Sequence, residues 1–157
     1  MLVIYPGSFD PFTLGHEDII TRASSSFDQV KIAISEDNAK SSLFSVKERV
    51  EMAEIISKKF SNVSFTSYQG LTVNFVKDNH SNFILRGLRD SSDFNNEAQF
   101  ALMNKTLCKS IETIFLTSSK NVREVSSTNV RQILSLDGDI SHFVSKEIFS
   151  YIRALKR

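Results

Sequence analysis

Leu2-Val3-Ile4-Tyr5-Pro6-Gly7-Ser8-Phe9-Asp10-Pro11-Phe12-Thr13-Leu14-Gly15-His16 sets the architecture of this chain, and the rest of the sequence extends it. A short apolar run, Leu2 to Tyr5, ended by Pro6-Gly7, has the length and punctuation of a buried strand. The chain has two prolines, and both Pro6 and Pro11 stand in this loop, which stiffens it. Gly15 to Ala23 then reads as a helix with Ile19, Ile20 and Ala23 on one face. Strand, stiff loop and helix start together make an anion site. Ser8 offers a hydroxyl and an amide at the mouth of the sheet, and Gly15 lets a ligand approach the backbone. His16 lies in the first helical turn, where unpaired amides and the helix dipole favour negative charge. A Gly-His pair taken alone is more often a turn beside a surface residue.

Outward from this loop, short β-rich runs alternate with longer helical patterns. Strands are expected over 30–34, 63–65, 83–85 and 113–116, and helices over 71–77, 93–107, 127–136 and 145–155. The best-marked helix spans 45–56. Ser45 and Glu48 form a capping box, and Val46, Val50, Ala53 and Ile55 or Ile56 line the expected inner face. Regular alternation predicts an α/β fold with a parallel sheet and right-handed crossovers. No linker, repeat or low-complexity tract interrupts it, so residues 1–157 read as a single domain. Ligands of such sheets bind beyond the carboxyl ends of the strands, which directs attention to the loops after the first, fourth and fifth strands.

Composition narrows the function classes. The chain is 41% apolar and 24% charged, as expected of a folded globular domain, with a net charge of +1. That balance argues against bulk nucleic-acid binding, which calls for a clear basic excess. No apolar run reaches the roughly 20 residues of a membrane span, and Met1 to Tyr5 lacks the features of a signal peptide. The single cysteine, Cys108, cannot form an internal disulfide, and its place near a helix end suggests a small buried hydrophobe. A cytoplasmic location is expected. The thirteen phenylalanines read as core packing, and His80 and His142 as surface or structural residues.

Three further stretches carry candidate chemistry. Lys40 lies in the polar loop Asp37-Asn38-Ala39-Lys40-Ser41-Ser42 and by itself is an ordinary solvated lysine. Ile84-Leu85-Arg86-Gly87-Leu88-Arg89 delivers two arginines to the end of a strand, and the guanidinium fork suits phosphate. Asp93 and Glu97 follow, four apart on one helical face. Ser126-Ser127-Thr128 opens a helix with three hydroxyls, more than a cap requires, which makes a second anion site.

Thr13-Leu14-Gly15-His16 and Val125-Ser126-Ser127-Thr128-Asn129-Val130-Arg131 resemble the two signature motifs of the nucleotidyltransferase superfamily. The longer stretch Tyr5 to His16, with threonine at position 13, is similar to the form found in phosphopantetheine adenylyltransferases. Phe44-Ser45-Val46-Lys47-Glu48-Arg49 and Arg86-Gly87-Leu88-Arg89 match that family's frame, while Asn96 departs from it where some relatives carry tyrosine. The resemblance implies a Rossmann-like parallel sheet with helices on both faces. It also implies adenylyl transfer from ATP to 4′-phosphopantetheine, giving dephospho-coenzyme A and pyrophosphate. Catalysis is expected from His16, Lys40, Arg89 and Ser127. ATP contacts are implied for Ser8, Phe9, His16, Gly87, Leu88, Arg89 and Glu97, and for Val122, Arg123, Glu124, Val125, Ser126, Ser127 and Thr128. Ser8, Lys40, Thr72, Asn74 and Arg86 are implied for the acceptor. Mg²⁺ as cofactor, coenzyme A as feedback inhibitor and a homohexamer are expected on the same ground. No resident metal ligand is assigned. The acceptor phosphate is already ionised near neutral pH, so the reaction calls for positioning and charge stabilisation and not for a general base or covalent nucleophile. Transfer to another phosphorylated acceptor, such as nicotinamide mononucleotide, and a nucleotide-binding regulator without turnover are the alternatives.

Overall fold

The first strand forms the middle of the sheet, and its side chains explain why. Val3, Ile4 and Tyr5 alternate between the two faces and all are buried, so both faces of the strand must be covered. The computed structural model describes residues 1–37 and 41–155. In chain order the elements are β1 (Leu2–Gly7), α1 (Leu14–Ser26), β2 (Gln29–Ser35), α2 (Val46–Ser57), β3 (Val63–Tyr68) and α3 (Thr72–Asp78). There follow β4 (Phe83–Leu88), α4 (Ser91–Leu107), β5 (Glu112–Thr117), α5 (Ser127–Ser135) and α6 (Lys146–Ala154). The five strands are all parallel, in the order β3-β2-β1-β4-β5.

That order places the helices. The chain moves outward from β1 to β3, then returns past β1 to β4 and continues to β5. Right-handed crossovers therefore put α1 and α2 on one face and α3 and α4 on the other. Packing agrees. Ile19, Ile20 and Ala23 of α1 and Met52, Ala53 and Ile56 of α2 share one core with Val3, Tyr5, Ile32 and Leu85, joined by Val130 of α5 and Ile148 and Ile152 of α6. Val73 and Val76 of α3 pack with Ile4, Ala33 and Ile84 on the opposite face. The expected layering, with helices on both sides, is what the chain forms. The direction of strand addition reverses at β1, so a crevice opens between the ends of β1 and β4.

Two helices depart from their sequence patterns. In α2 the Ser45 and Glu48 capping box is present, with the Ser45 amide donating to Glu48 Oε2 at 2.7 Å. Ala53 and Ile56 are buried and Val50 and Ile55 pack against the core, as expected, but Val46 is only half-buried outside it and Arg49, Met52 and Ser57 are buried as well. A charged residue with carbonyl partners, Arg49, thus occupies a core position beside them. In α4 no residue is buried. Phe94 and Phe100 are 49% and 55% exposed, so the expectation that every phenylalanine packs a core fails there. Cys108 is half-buried, packing against the α3-side core with its thiol beside Ser110 Oγ. His80 and His142 are both exposed.

Candidate active site

The loop after β1 is held by its own aromatic rings. Phe9 has a positive φ of 50°, a conformation that costs a side-chain-bearing residue energy and persists where packing fixes it. Its ring is buried and stacks on Phe12 with centroids 4.4 Å apart. A Cβ at Gly7 would lie 3.0 Å from Phe9 Cζ, so the turn needs glycine. The Phe9 ring also meets the His16 ring edge to face at 5.0 Å.

His16 occupies the third position of α1, the place glutamate fills in α2. The Thr13 amide donates to His16 Nδ1 at 3.1 Å. This bond makes Nδ1 an acceptor and leaves the proton on Nε2. Burial among Tyr5, Phe9 and Phe12 lowers the imidazole pKa to about 4, assisted by the nearby charges of Arg89 and Arg86. The ring is therefore a neutral, oriented N–H donor at pH 7. Burial likewise pushes the Tyr5 phenol up, keeping it protonated.

Two clefts meet at this loop. The first, of about 250 Å³, is lined by Ser8, Phe9, Thr13, Gly15, His16, Arg86, Gly87, Arg89, Asp93 and Glu97, with Ser118 and Val125 to Thr128 as the facing wall. The second, of about 450 Å³, runs between α3 and α4 along Ser35, Tyr68, Gly70, Leu71, Thr72, Val73, Ile84, Phe100, Ala101, Met103, Asn104, Leu107 and Thr113. Pro6, Gly7, Ser8, Arg86 and Glu97 border both.

Each arginine is oriented by a carboxylate from α4. Arg86 Nε donates to Glu97 Oε2 at 2.6 Å, its NH2 group donates to Glu97 Oε1, and NH1 donates to the Pro6 carbonyl at 2.8 Å. Burial works to lower the Arg86 pKa, but the Glu97 bonds and charge outweigh it and hold it above the ordinary value. Arg89 Nε and NH2 donate to Asp93 at 2.9 and 3.1 Å. A guanidinium has five N–H donors, so two remain on Arg86 and three on Arg89. A Cβ on Gly87, between them, would press within 3.2 Å of Ile19 Cγ1.

The facing wall is fixed by long-range bonds. Ser127 Oγ donates to the Pro11 carbonyl at 2.8 Å, and the Ser127 and Thr128 amides at the start of α5 face the position of an anion. Ser126 Oγ accepts from the Asn129 amide. On the other side Asp18 of α1 accepts from the Ser119 amide at 3.0 Å and hydroxyl at 2.6 Å, and these bonds hold its carboxyl below the usual range against burial.

The sequence-derived candidates thus separate. Ser8, Phe9, His16, Gly87, Arg89, Glu97, Val125, Ser126, Ser127 and Thr128 gather at the first cleft, and Ser8, Thr72 and Arg86 border the second. Leu88, Val122, Arg123 and Glu124 are outside the lining of the first cleft; Arg123 Nε instead donates to the Arg89 carbonyl at 2.6 Å. Asn74 is exposed on α3 and outside the second. Lys40 falls outside the described residues. Sequence reasoning missed the α4 wall, Phe100, Met103, Asn104 and Leu107. Their spacing of three, one and three was the available signal, marking one helical face.

Residues 4–133 match the cytidylyltransferase-like family model, and with this site the fold defines a nucleotidyltransferase. A nicotinic acid mononucleotide adenylyltransferase from Plasmodium falciparum superposes with a TM-score of 0.73 at 18% identity, covering 99% of this chain and 95% of its own. Among curated relatives, the phosphopantetheine adenylyltransferase of Azoarcus sp. (strain BH72) is 43% identical over 97% of this chain and 93% of that protein. The one from Hahella chejuensis (strain KCTC 2396) is 46% identical over 90% and 88%. The chain belongs to the phosphopantetheine adenylyltransferase family, and adenylyl transfer to phosphopantetheine is the activity that goes with it.

Proposed function

We propose that the chain joins the adenylyl group of ATP to the phosphate of 4′-phosphopantetheine, releasing pyrophosphate, with the nucleotide in the first cleft and the acceptor arm in the second. The observation that carries this division is the shared border: Ser8 and Arg86 stand where a cleft lined by arginines, hydroxyls and helix-start amides opens onto a larger, more apolar one. A terminal phosphate on an apolar arm would bring its anion to that border.

An acceptor phosphate oxygen attacks the α-phosphorus as the bond to the pyrophosphate oxygen breaks. No proton needs removal, so the site works through placed charge. His16 donates from Nε2 to the α-phosphate oxygens, where charge builds in the transition state. Arg89 and the first turn of α5 meet the outer phosphates and the departing pyrophosphate. Arg86, aimed by Glu97, uses its two remaining donors on the acceptor phosphate. Ser8 positions both substrates, and Lys40 bridges attacking and attacked phosphates. Among the described residues no group of three or more metal-ligating side chains gathers. Asp93 and Glu97 are both bonded by arginines. Among the described residues the donors make no all-protein Mg²⁺ cage, which Mg²⁺ rarely uses; the ion would enter with the ATP phosphates as part of the substrate, and no step is routed through it.

Three broader expectations have physical support. The exposed apolar residues Phe94, Phe100, Leu102, Met103 and Leu107 on α4 favour a homo-oligomer, with a hexamer expected from the family. Coenzyme A carries both an arm and an adenylyl group and would span both clefts as an inhibitor. A cytoplasmic location is expected from the family, and no helix of the described residues is long and apolar enough to cross a membrane. The test offers purified protein ATP or CTP with Mg²⁺ and, in turn, 4′-phosphopantetheine, nicotinamide mononucleotide or glycerol 3-phosphate. ATP with 4′-phosphopantetheine should release pyrophosphate at least about a hundredfold faster than any other pairing. Preference for nicotinamide mononucleotide would overturn the acceptor, and silence with every pairing would favour a regulator.

A further inference from the structure

Arg49 is fully buried, yet its bonds among the described residues go to three backbone carbonyls and to no carboxylate. Nε donates to the Phe44 carbonyl at 3.2 Å, and NH1 donates to the Ser8 carbonyl at 2.7 Å and the Ser35 carbonyl at 2.9 Å. Burial pulls the guanidinium pKa below its ordinary range, and the charges of Asp10 and Glu36 oppose that. NH2 is buried without a partner. Stability alone gives little reason for such a cation, because well-packed apolar residues often replace buried charges at no loss. What an apolar residue cannot do is join three separate segments of backbone.

Those segments matter to the site. Ser8 stands where the two clefts meet, and Ser35 ends β2 on the wall of the second. Phe44 immediately precedes the cap of α2. Ser35 and Phe44 therefore bracket the segment 36–43, within which Lys40 lies. A second anchor acts on the same segment: the buried Asp10 carboxylate accepts the Leu43 and Phe44 amides at 2.8 Å each. Asp10 in turn faces Arg131 NH1 of α5 at 3.7 Å. One guanidinium and one carboxylate thus tie the end of β2 and the start of α2 to the Ser8 loop.

We propose that Arg49 is a positioning residue for adenylyl transfer: by holding the Ser8, Ser35 and Phe44 carbonyls together, it sets the Ser8 loop, where the two clefts meet, in the register against the end of β2 and the start of α2 that the in-line attack requires. The inference rests on the reaction proposed above. Arg49→Lys keeps the charge but replaces the planar fork with a flexible point donor. Displacement of reacting groups by about 1 Å can cost about a hundredfold in rate. The expected result is a folded variant whose kcat with ATP and 4′-phosphopantetheine falls about thirty- to a hundredfold per folded molecule, while KM for ATP moves less than about threefold. Folded fraction is measured by circular dichroism and melting temperature. A kcat per folded molecule within about threefold of wild type would overturn the proposal. If Arg49→Lys does not fold, Asp10→Asn decides, because it loosens the tie to the start of α2 by removing one of two acceptors. A folded Asp10→Asn enzyme with wild-type kcat overturns the proposal, and the same kcat-specific loss supports it. Wild-type protein inactive with 4′-phosphopantetheine would instead sink the underlying reaction.

Discussion

The two clefts share five residues and little else. The first is built mainly from loops and helix starts: hydroxyls, amides, two arginines and an imidazole, with both arginines, the imidazole, Ser126 and Ser127 held by named bonds. The second is built from strand residues covered by α3 and α4, with Tyr68, Leu71, Val73, Ile84, Phe100, Met103 and Leu107 as its main surface and a few polar groups between them. The difference separates two tasks. Charge that moves during reaction needs donors fixed in advance. An arm that only has to be bound needs shape and desolvation, with sparse polar contacts to orient it.

The sharpest way to break this contrast is at His16. If its Nε2–H acts on charge present only in the transition state, His16→Ala should lower kcat by roughly two or more decades with little change in KM for ATP. Steady-state kinetics showing near-normal kcat would remove the imidazole from the first cleft's chemistry.

The arginines test whether the shared border divides as assigned. Arg89→Ala should raise KM for ATP and Arg86→Ala that for 4′-phosphopantetheine. Each effect should be on the order of 2–5 kcal/mol, the cost of truncating a charged phosphate contact. Arg86→Ala should also lower the melting temperature, because Glu97, mostly buried, loses its partner. Equal effects of both variants on both substrates would merge the two clefts into one.

A smaller effect is expected deep in the second cleft. Thr72 shares a 2.8 Å hydrogen bond with the Tyr68 hydroxyl. Thr72→Val removes about one neutral hydrogen bond, so KM for 4′-phosphopantetheine should rise about three- to tenfold while ATP kinetics stay unchanged. A change confined to ATP would place Thr72 on the wrong side of the border.

The last test reads stability against pH. His16 titrates near 4 in the folded chain and near 6.5 when unfolded. Above pH 6.5 neither state binds the proton. As pH falls from about 6.5 to 4, the unfolded state gains it first and stability is lost; below about 4 both are protonated and this contribution levels off. His16→Asn should therefore show a shallower fall in melting temperature over that window. An identical slope would contradict the buried neutral imidazole.

The first cleft was legible because its residues cluster in contiguous motifs whose chemistry is unusual: a Pro/Gly loop with Gly-His, Arg-Gly-Leu-Arg, a triple hydroxyl helix start. The alternation of elements likewise fixed the layer architecture, since crossover handedness leaves few choices. The second cleft was hidden for a physical reason. Phe100, Met103 and Leu107 repeat at helical spacing whether they face a core or a ligand, and only packing tells the two apart. Arg49 was hidden for the opposite reason. A charged residue on a helix is expected in water, and nothing local announces the Ser8 and Ser35 carbonyls that a loop and a strand contribute from elsewhere in the chain.

The bond between Thr13 and His16 has a consequence for how the site comes into being. It links residues three apart, so the imidazole is aimed as soon as the first turn of α1 forms, and closing so short a loop costs little chain entropy. Ser127 reaches the Pro11 carbonyl across 116 residues, so that wall waits until the chain is almost wholly folded. A chain halted before α5 would hold its imidazole in place against an open cleft, ready on one side and unable to grip a nucleotide on the other.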